Sequence, residues 1–383
     1  MKKSLLKLSA CALLVGFSQA ANAQQEPVNV NAVTTAVPFL RIAPDARAAG
    51  MGDVGIATSA DANSAFFNLA KTPFAAQRTA FGLTYTPWLR DITKDVYLAA
   101  LSGYHKLDDE QAISLSARYF NLGQIDFVDF AGNPQGSSRP REFAVDLGYS
   151  RKINSKMGLG VAMRYINSNL ANGAIGGVNY RPGNTVSVDL SYYYDGKNAT
   201  GQGWAFGAAI TNLGGKISYT DNANARDYIP ANLGLGASYT SVIDEDNKIT
   251  IALDLNKLLV PTPPTSTGNA SADSLAFVNY RNQSVFSSWG KSFTDGSFGN
   301  EMREVQASIG VEYAYDNQFF ARAGYNYEDR TKGNRKYFTA GVGVKFSTLD
   351  LNFSYLVPSG NGITRNPLSN TIRIGLNFHL DKK

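Results

Sequence analysis

Apolar side chains recur at every second position along this chain, in short runs separated by turn residues through to the C-terminus. Ile113, Leu115, Ala117 and Tyr119 alternate with Ser114, Ser116 and Arg118, and Phe143, Val145, Leu147 and Tyr149 alternate with Ala144, Asp146 and Gly148. Successive side chains of a strand point to opposite faces, so each run has one apolar and one polar face. The polar faces carry charges in mid-strand, among them Arg118, Asp146, Arg164, Asp189, Asp254, Glu312, Arg322 and Lys345. A soluble sandwich hides its apolar face, whereas a membrane barrel turns that face to lipid and keeps the polar one in a wet lumen. The pattern predicts the second arrangement, an all-β fold forming a transmembrane antiparallel β-barrel.

About fourteen strands are predicted, near residues 78–88, 95–104, 112–121, 141–151, 157–167, 185–194, 204–211, 232–239, 249–255, 305–315, 319–327, 337–346, 349–357 and 370–380. The number is even, as closure of a single-chain bacterial barrel requires. Placing the segment before the first strand in the periplasm makes every inner turn short. Five of the seven outer connections are then long, those at 122–140, 168–184, 212–231, 256–304 and 358–369, as in outer-membrane barrels. The 21 Phe and 20 Tyr suit two interfacial girdles, and no run after residue 23 approaches a spanning helix.

The first 23 residues read as a signal peptide, with Lys2, Lys3 and Lys7, an apolar stretch from Leu8 to Phe17, and Ala21-Asn22-Ala23 before the cut. Its removal leaves 33 basic against 31 acidic residues, a net charge of +2 in place of +5, so the basicity carries no nucleic-acid reading. Leu8-Ser9-Ala10-Cys11 imitates a lipoprotein box but leaves almost no apolar run ahead of the cysteine. Cys11 is the only cysteine, so the exported chain has no disulfide and no thiolate ligand. Residues 24–37 read as a flexible leader, and 38–77 as a small-residue segment without alternation. That segment fits a hatch in the lumen, with Arg41, Asp45, Arg47, Asp53 and Asn68 as contacts; the alternative is a periplasmic subdomain. The barrel then occupies 78–383.

Candidate chemistry is sparse. His105 and His379 are the only histidines, each at a strand end and neither beside a serine elbow, which argues against a triad. Asp221 to Asp227 imitates a calcium loop but has Ala223 and Ala225 where oxygen ligands belong. Gly341-Val342-Gly343 lacks the following helix of a phosphate site. No catalytic residue, cofactor or metal is expected. The lumen charges, Arg118, Arg164, Arg322, Lys345 and Arg373 against Asp146, Asp189, Asp254, Glu312 and Asp350, are of mixed sign, which suits a plugged interior or a water-filled channel with scattered pairs. The insertion 256–304 carries Phe277, Tyr280, Phe286, Trp289, Phe293 and Phe298, which suit a partner surface or a loop folded onto its own rim. The last strand, Arg373 to Leu380, resembles the C-terminal insertion signal read by the barrel assembly machinery.

Two resemblances follow from these residues. Asp61-Ala62-Asn63-Ser64-Ala65-Phe66-Phe67-Asn68-Leu69-Ala70 resembles the hatch motif of FadL-type fatty acid transporters, with Leu69 where that motif has proline. Pro38 to Gly55, together with Thr211-Asn212-Leu213-Gly214-Gly215-Lys216-Ile217 and Tyr228-Ile229-Pro230-Ala231-Asn232-Leu233, resembles the signature of the PorV family, FadL-like outer-membrane barrels of the type IX secretion system of Bacteroidota. This resemblance implies a non-enzymatic partner of the translocon barrel SprA (Sov) that takes cargo with a type IX C-terminal domain to the attachment complex containing PorU. The FadL likeness alone implies passive transport of hydrophobic small molecules.

Overall fold

The computed structural model describes residues 30–90, 92–129, 131–175, 177–222, 226–357 and 370–380. The expected signal peptide and the outer connection 358–369 lie outside the described residues, as do 223–225 of the calcium-like loop.

The two-residue period becomes fourteen strands: β1 Thr79–Pro87, β2 Val96–Lys106, β3 Gln111–Leu122, β4 Arg141–Lys152, β5 Met157–Asn169, β6 Gly183–Asp195, β7 Gly203–Gly214, β8 Asn232–Val242, β9 Asn247–Leu258, β10 Gln306–Tyr315, β11 Phe319–Tyr327, β12 Lys336–Lys345, β13 Leu349–Val357 and β14 Ile372–His379. Each pairs antiparallel with its sequence neighbour, and β1 closes on β14 with Ala80 opposite His379 and Tyr85 opposite Ile374. Closure leaves no free edge, the condition for a sheet in hydrocarbon.

The apolar faces point outward. Leu147 is 65 % exposed and Met163 64 %, while Asp146 and Arg164, their inward neighbours, are 4 % and 2 % exposed. Tyr85, Tyr97 and Tyr119 line up ring to ring at one end of the strands, and Trp204, Phe206 and Tyr239 at the other. Two such belts are the signature of two lipid–water interfaces. Among the described residues no helix is long and apolar enough to cross a membrane.

Residues 31 to 78 run through the interior from one rim to the other. At the rim with the long connections, Asn31 N–H donates to Thr331 O at 2.9 Å and Ala36 N–H to Tyr228 O at 2.9 Å. At the opposite rim Lys106 N–H donates to Arg78 O at 2.8 Å, and Leu380 N–H to Thr79 O at 3.0 Å. Residues 31–37 are thus packed, where the sequence suggested a leader. Val37 is 1 % exposed and holds a left-handed backbone (φ 48°), a conformation that a β-branched residue adopts only when its surroundings impose it. A single helical turn, α1 (Ala46–Gly50), lies deeper, its first amides capped by the Asp45 carboxylate. It fits because the facing wall lacks side chains: a Cβ on Gly324 would sit 2.1 Å from Gly52 N.

Toward the outer rim an apolar cluster fills part of the interior. Phe39 and Leu40 pack with Leu98, Phe120 and Ile166 of the wall and with Ile217 and Ile229 of the inward-folded connection 215–231. The long connection, 259–305, is not an irregular loop: it contains α2 (Ala270–Asn282), α3 (Val285–Lys291) and α4 (Phe298–Arg303). A cysteine at Thr34, exposed beside the rim of the long connections, is predicted to react with a membrane-impermeant maleimide on intact cells, while one at Asn317 in an inner turn stays protected. The reverse labelling would invert this topology.

Candidate functional site

Two constellations stand out: a charged network inside the barrel and an aromatic helical surface outside it. The network centres on Glu312 of β10. Arg47 grips its carboxylate with Nε at 3.0 Å and Nη2 at 2.8 Å, Arg322 of β11 donates from Nε at 2.7 Å, and Arg47 Nη1 reaches Asp61 at 2.9 Å. Burying charges is costly unless each has partners of good geometry, and this fork geometry supplies them. The segment's other charges divide. Arg41 pairs with Glu328 at 3.2 Å, and Asp53 takes Arg373 at 3.1 Å and the Tyr337 hydroxyl at 2.5 Å. Asp45 meets no wall charge; besides capping α1 it accepts from Asn63 Nδ2 at 3.0 Å. Asn68 Nδ2 donates to Tyr192 O of β6 at 2.9 Å and to Ile56 O at 3.0 Å, while its Oδ1 accepts from Ala70 N. Of the wall charges, Asp350 accepts from His379 Nε2 at 2.8 Å, and Lys345 stands opposite it in register. His105 shares a hydrogen bond of 2.8 Å with Thr79.

Three features of the interior go beyond the sequence reading, which named Asp254 only as an inward charge. Lys71 is buried, with Nζ donating to Gly55 O at 2.5 Å. Asp254 of β9 accepts the amides of Gly55 and Ile56 at 2.7 and 2.9 Å. The third feature explains two sequence motifs together. The pairing of β6 with β7 shifts after Val188, where Asn212 adopts φ 58°. Its amide donates to Asp189 at 2.7 Å, its Nδ2 to Pro230 O at 2.9 Å, and its Oδ1 accepts from Arg164, which also binds Asp146 and Asp189. The stretches 211–215 and 228–232, distant in sequence, meet at this bulge.

The bulge also anchors the outer surface. Lys216 Nζ donates to Gln283 O at 2.6 Å and to Arg281 O, and lies 4.1 Å over the Tyr228 ring. A cation on the last carbonyls of α2 satisfies acceptors the helix leaves open. Tyr280 Oη donates to Pro261 O at 3.1 Å and packs edge-on against Tyr228, while Trp289 is half-buried against Phe286. The remaining sequence-nominated aromatics face outward: Phe286 is 80 % exposed and Phe298 81 %, with Phe277 and Phe293 exposed to a lesser degree. Asp295, Glu301 and Glu304 converge beneath α4, and Lys257 Nζ already sits between Glu301 and Glu304 at 2.8 and 2.6 Å.

A closed fourteen-stranded barrel with two aromatic belts and a charged interior defines an outer-membrane β-barrel protein. The family model of the type IX secretion system protein PorV matches residues 23–265, and the chain belongs to that family. The fold is similar to that of the P. putida toluene transporter TodX (11 % identity over 88 % of this chain and 98 % of that one, TM-score 0.52). It is also similar to the Ralstonia pickettii toluene transporter TbuX (12 % identity, 92 % and 100 % covered, TM-score 0.51). A Pseudomonas aeruginosa FadL homologue aligns at 11 % identity over 91 % of this chain and 99 % of that one, with a TM-score of 0.48. None of the curated proteins matches the chain.

Arg47→Gln leaves Asp61 without its guanidinium partner and Glu312 with only Arg322. Breaking a buried pair in this way is predicted to cost about 3 kcal/mol, seen as earlier loss of the compact band when unboiled protein is heated before electrophoresis. Asp295 supplies a pH dependence. Burial, reinforced by Glu301 and Glu304, raises its carboxyl to about 6, although the Thr262 amide opposes the shift. A raised carboxyl favours the folded loop when protonated, so protection of 293–304 is fullest in acid and falls as pH rises through about 6. Hydrogen exchange corrected for intrinsic rate is expected to show that decline, and Asp295→Asn to flatten it.

Proposed function

We propose that this chain is a non-enzymatic carrier of the type IX secretion system, whose outer helical surface binds the translocon and captures cargo bearing the system's C-terminal domain for delivery to the attachment complex. The observation that carries the reading is the exposure of Phe286 and Phe298 on a helical connection that Lys216 and Tyr228 hold at the end of α2 and Lys257 of β9 holds at α4. An apolar surface that is both exposed and held in place is what a protein partner uses as an anchor. In this reading residues 38–77 act as a hatch held by the inner charges, and SprA (Sov) and PorU are the partners.

The competing reading, passive transport of hydrophobic small molecules, requires an apolar path along the axis. The Arg47–Glu312–Arg322 group and the Arg164 node lie across that path. Deleting residues 277–298 is predicted to leave a heat-modifiable barrel while abolishing co-purification of the translocon barrel and of cargo. Undiminished capture of both by the deletion variant would reject the proposal.

A further inference from the structure

Between the N-terminal segment and the wall lies a cavity of about 150 Å³, whose charged lining is Arg41, Arg118, Arg335 and Arg373 with Asp53 and Asp254. Three of these residues carry unused hydrogen-bonding atoms. Arg118 is 4 % exposed; its Nη1 donates to Leu40 O at 3.0 Å and its plane lies 4.8 Å over the Phe66 ring, yet among the described residues its Nε meets no acceptor and no carboxylate pairs with it. Arg373, also 4 % exposed, pairs with Asp53 through Nη1, and its Nε is likewise without a partner. Asp254, 1 % exposed, uses Oδ2 on two amides and has none on Oδ1.

The carboxylates nearest Arg118 are committed elsewhere, since Arg164 holds both Asp146 and Asp189 in direct contact. At the mouth Arg41 and Arg335 share the single carboxylate of Glu328, at 3.2 and 2.8 Å, so positive charge is in surplus there. A buried donor left unpaired carries a desolvation penalty, and a larger one when it is charged. Water can satisfy such donors but does not offset the surplus.

We propose that this cavity is a binding site for a small oxyanion, a carboxylate or phosphate group held by the guanidinium groups of Arg118 and Arg373, with a hydroxyl, amine or bridging water answering Asp254 Oδ1. Two buried, unsaturated guanidiniums in one cavity match the planar acceptor pair of such a group. The half-buried Arg41 and Arg335 form its entrance from the outer rim. The volume corresponds to about ten water-sized positions, enough for a small anion and too little for a long acyl chain. The site is separate from the outer helical surface, so it stands or falls independently of cargo capture.

The test is titration calorimetry of the full-length protein in detergent with sodium phosphate and, separately, sodium acetate, at constant ionic strength in chloride. Saturable one-to-one binding of at least one anion is expected. Arg118→Gln and Arg373→Gln should each weaken it about tenfold, the worth of one charge-assisted hydrogen bond. Lys345→Gln, which changes a wall charge outside the cavity lining, should leave it unchanged. Arg118→Lys keeps the charge without the Nε–H; if Arg118→Gln fails to give a heat-modifiable barrel, weakened binding by the lysine variant serves in its place. The proposal is overturned if neither anion binds the unmodified protein, if the Arg118 variants bind as well as it does, or if sodium laurate binds while phosphate and acetate do not.

Discussion

A charge on the inward face of a narrow membrane barrel can be neither expelled to lipid nor freely hydrated, so it must find a partner inside, another charge or a polar group. This constraint organises the interior. Glu312 satisfies Arg322 on the next strand and Arg47 from the N-terminal segment. The wall is therefore incomplete without the segment. Removing the segment would strand charges on the inner wall, and removing the wall charges would leave the segment its apolar contacts and neutral hydrogen bonds such as that of Asn68 to Tyr192 O.

Close approach is the second consequence of the same arrangement. Ion pairs of about 3 Å can form only if the α1 backbone nearly touches the wall, which is why Gly310, Gly324 and Gly341 face Met51, Gly52 and Gly50. The run Gly50-Met51-Gly52-Asp53 then reads physically: small residues against small residues, a left-handed turn at Gly52, and a carboxylate delivered to Arg373. Nearer the outer rim packing joins charge: Phe39 stacks on Phe120 and Ile217 and Ile229 fold in, beside the Arg41–Glu328–Arg335 cluster.

How much of this was legible in the sequence depends on range. Strands are local, and lipid on one face enforces strict alternation, so all fourteen could be read from periodicity. The mixed signs of the inward charges were visible as well, but not which pairs form, because Arg47 and Glu312 are 265 residues apart and closure of the barrel brings them together. The bulge at Asn212 was hidden because its left-handed backbone depends on Asp189 and Pro230 from other segments. The helices of 259–305 were legible in one respect that aromatic content obscured: Asn269, Ser284 and Ser297 each cap a helix start. Residues 31–37 look like a leader by composition, and only the surrounding wall makes Val37 a core residue.

The outer helices complete the division of labour. Lys216 and Tyr228 tie the end of α2 to the segments that meet at the Asn212 bulge, and Lys257 of β9 ties α4, so the exposed Phe286 and Phe298 are presented on a connection held to the barrel at both ends. The central claim is that the interior is filled and held by paired charges. It is tested most directly by reconstituting the purified protein in planar lipid bilayers and recording single-channel current in molar salt. The account predicts a silent membrane; steady unitary conductance of porin size, from protein shown to be folded and inserted, would contradict it.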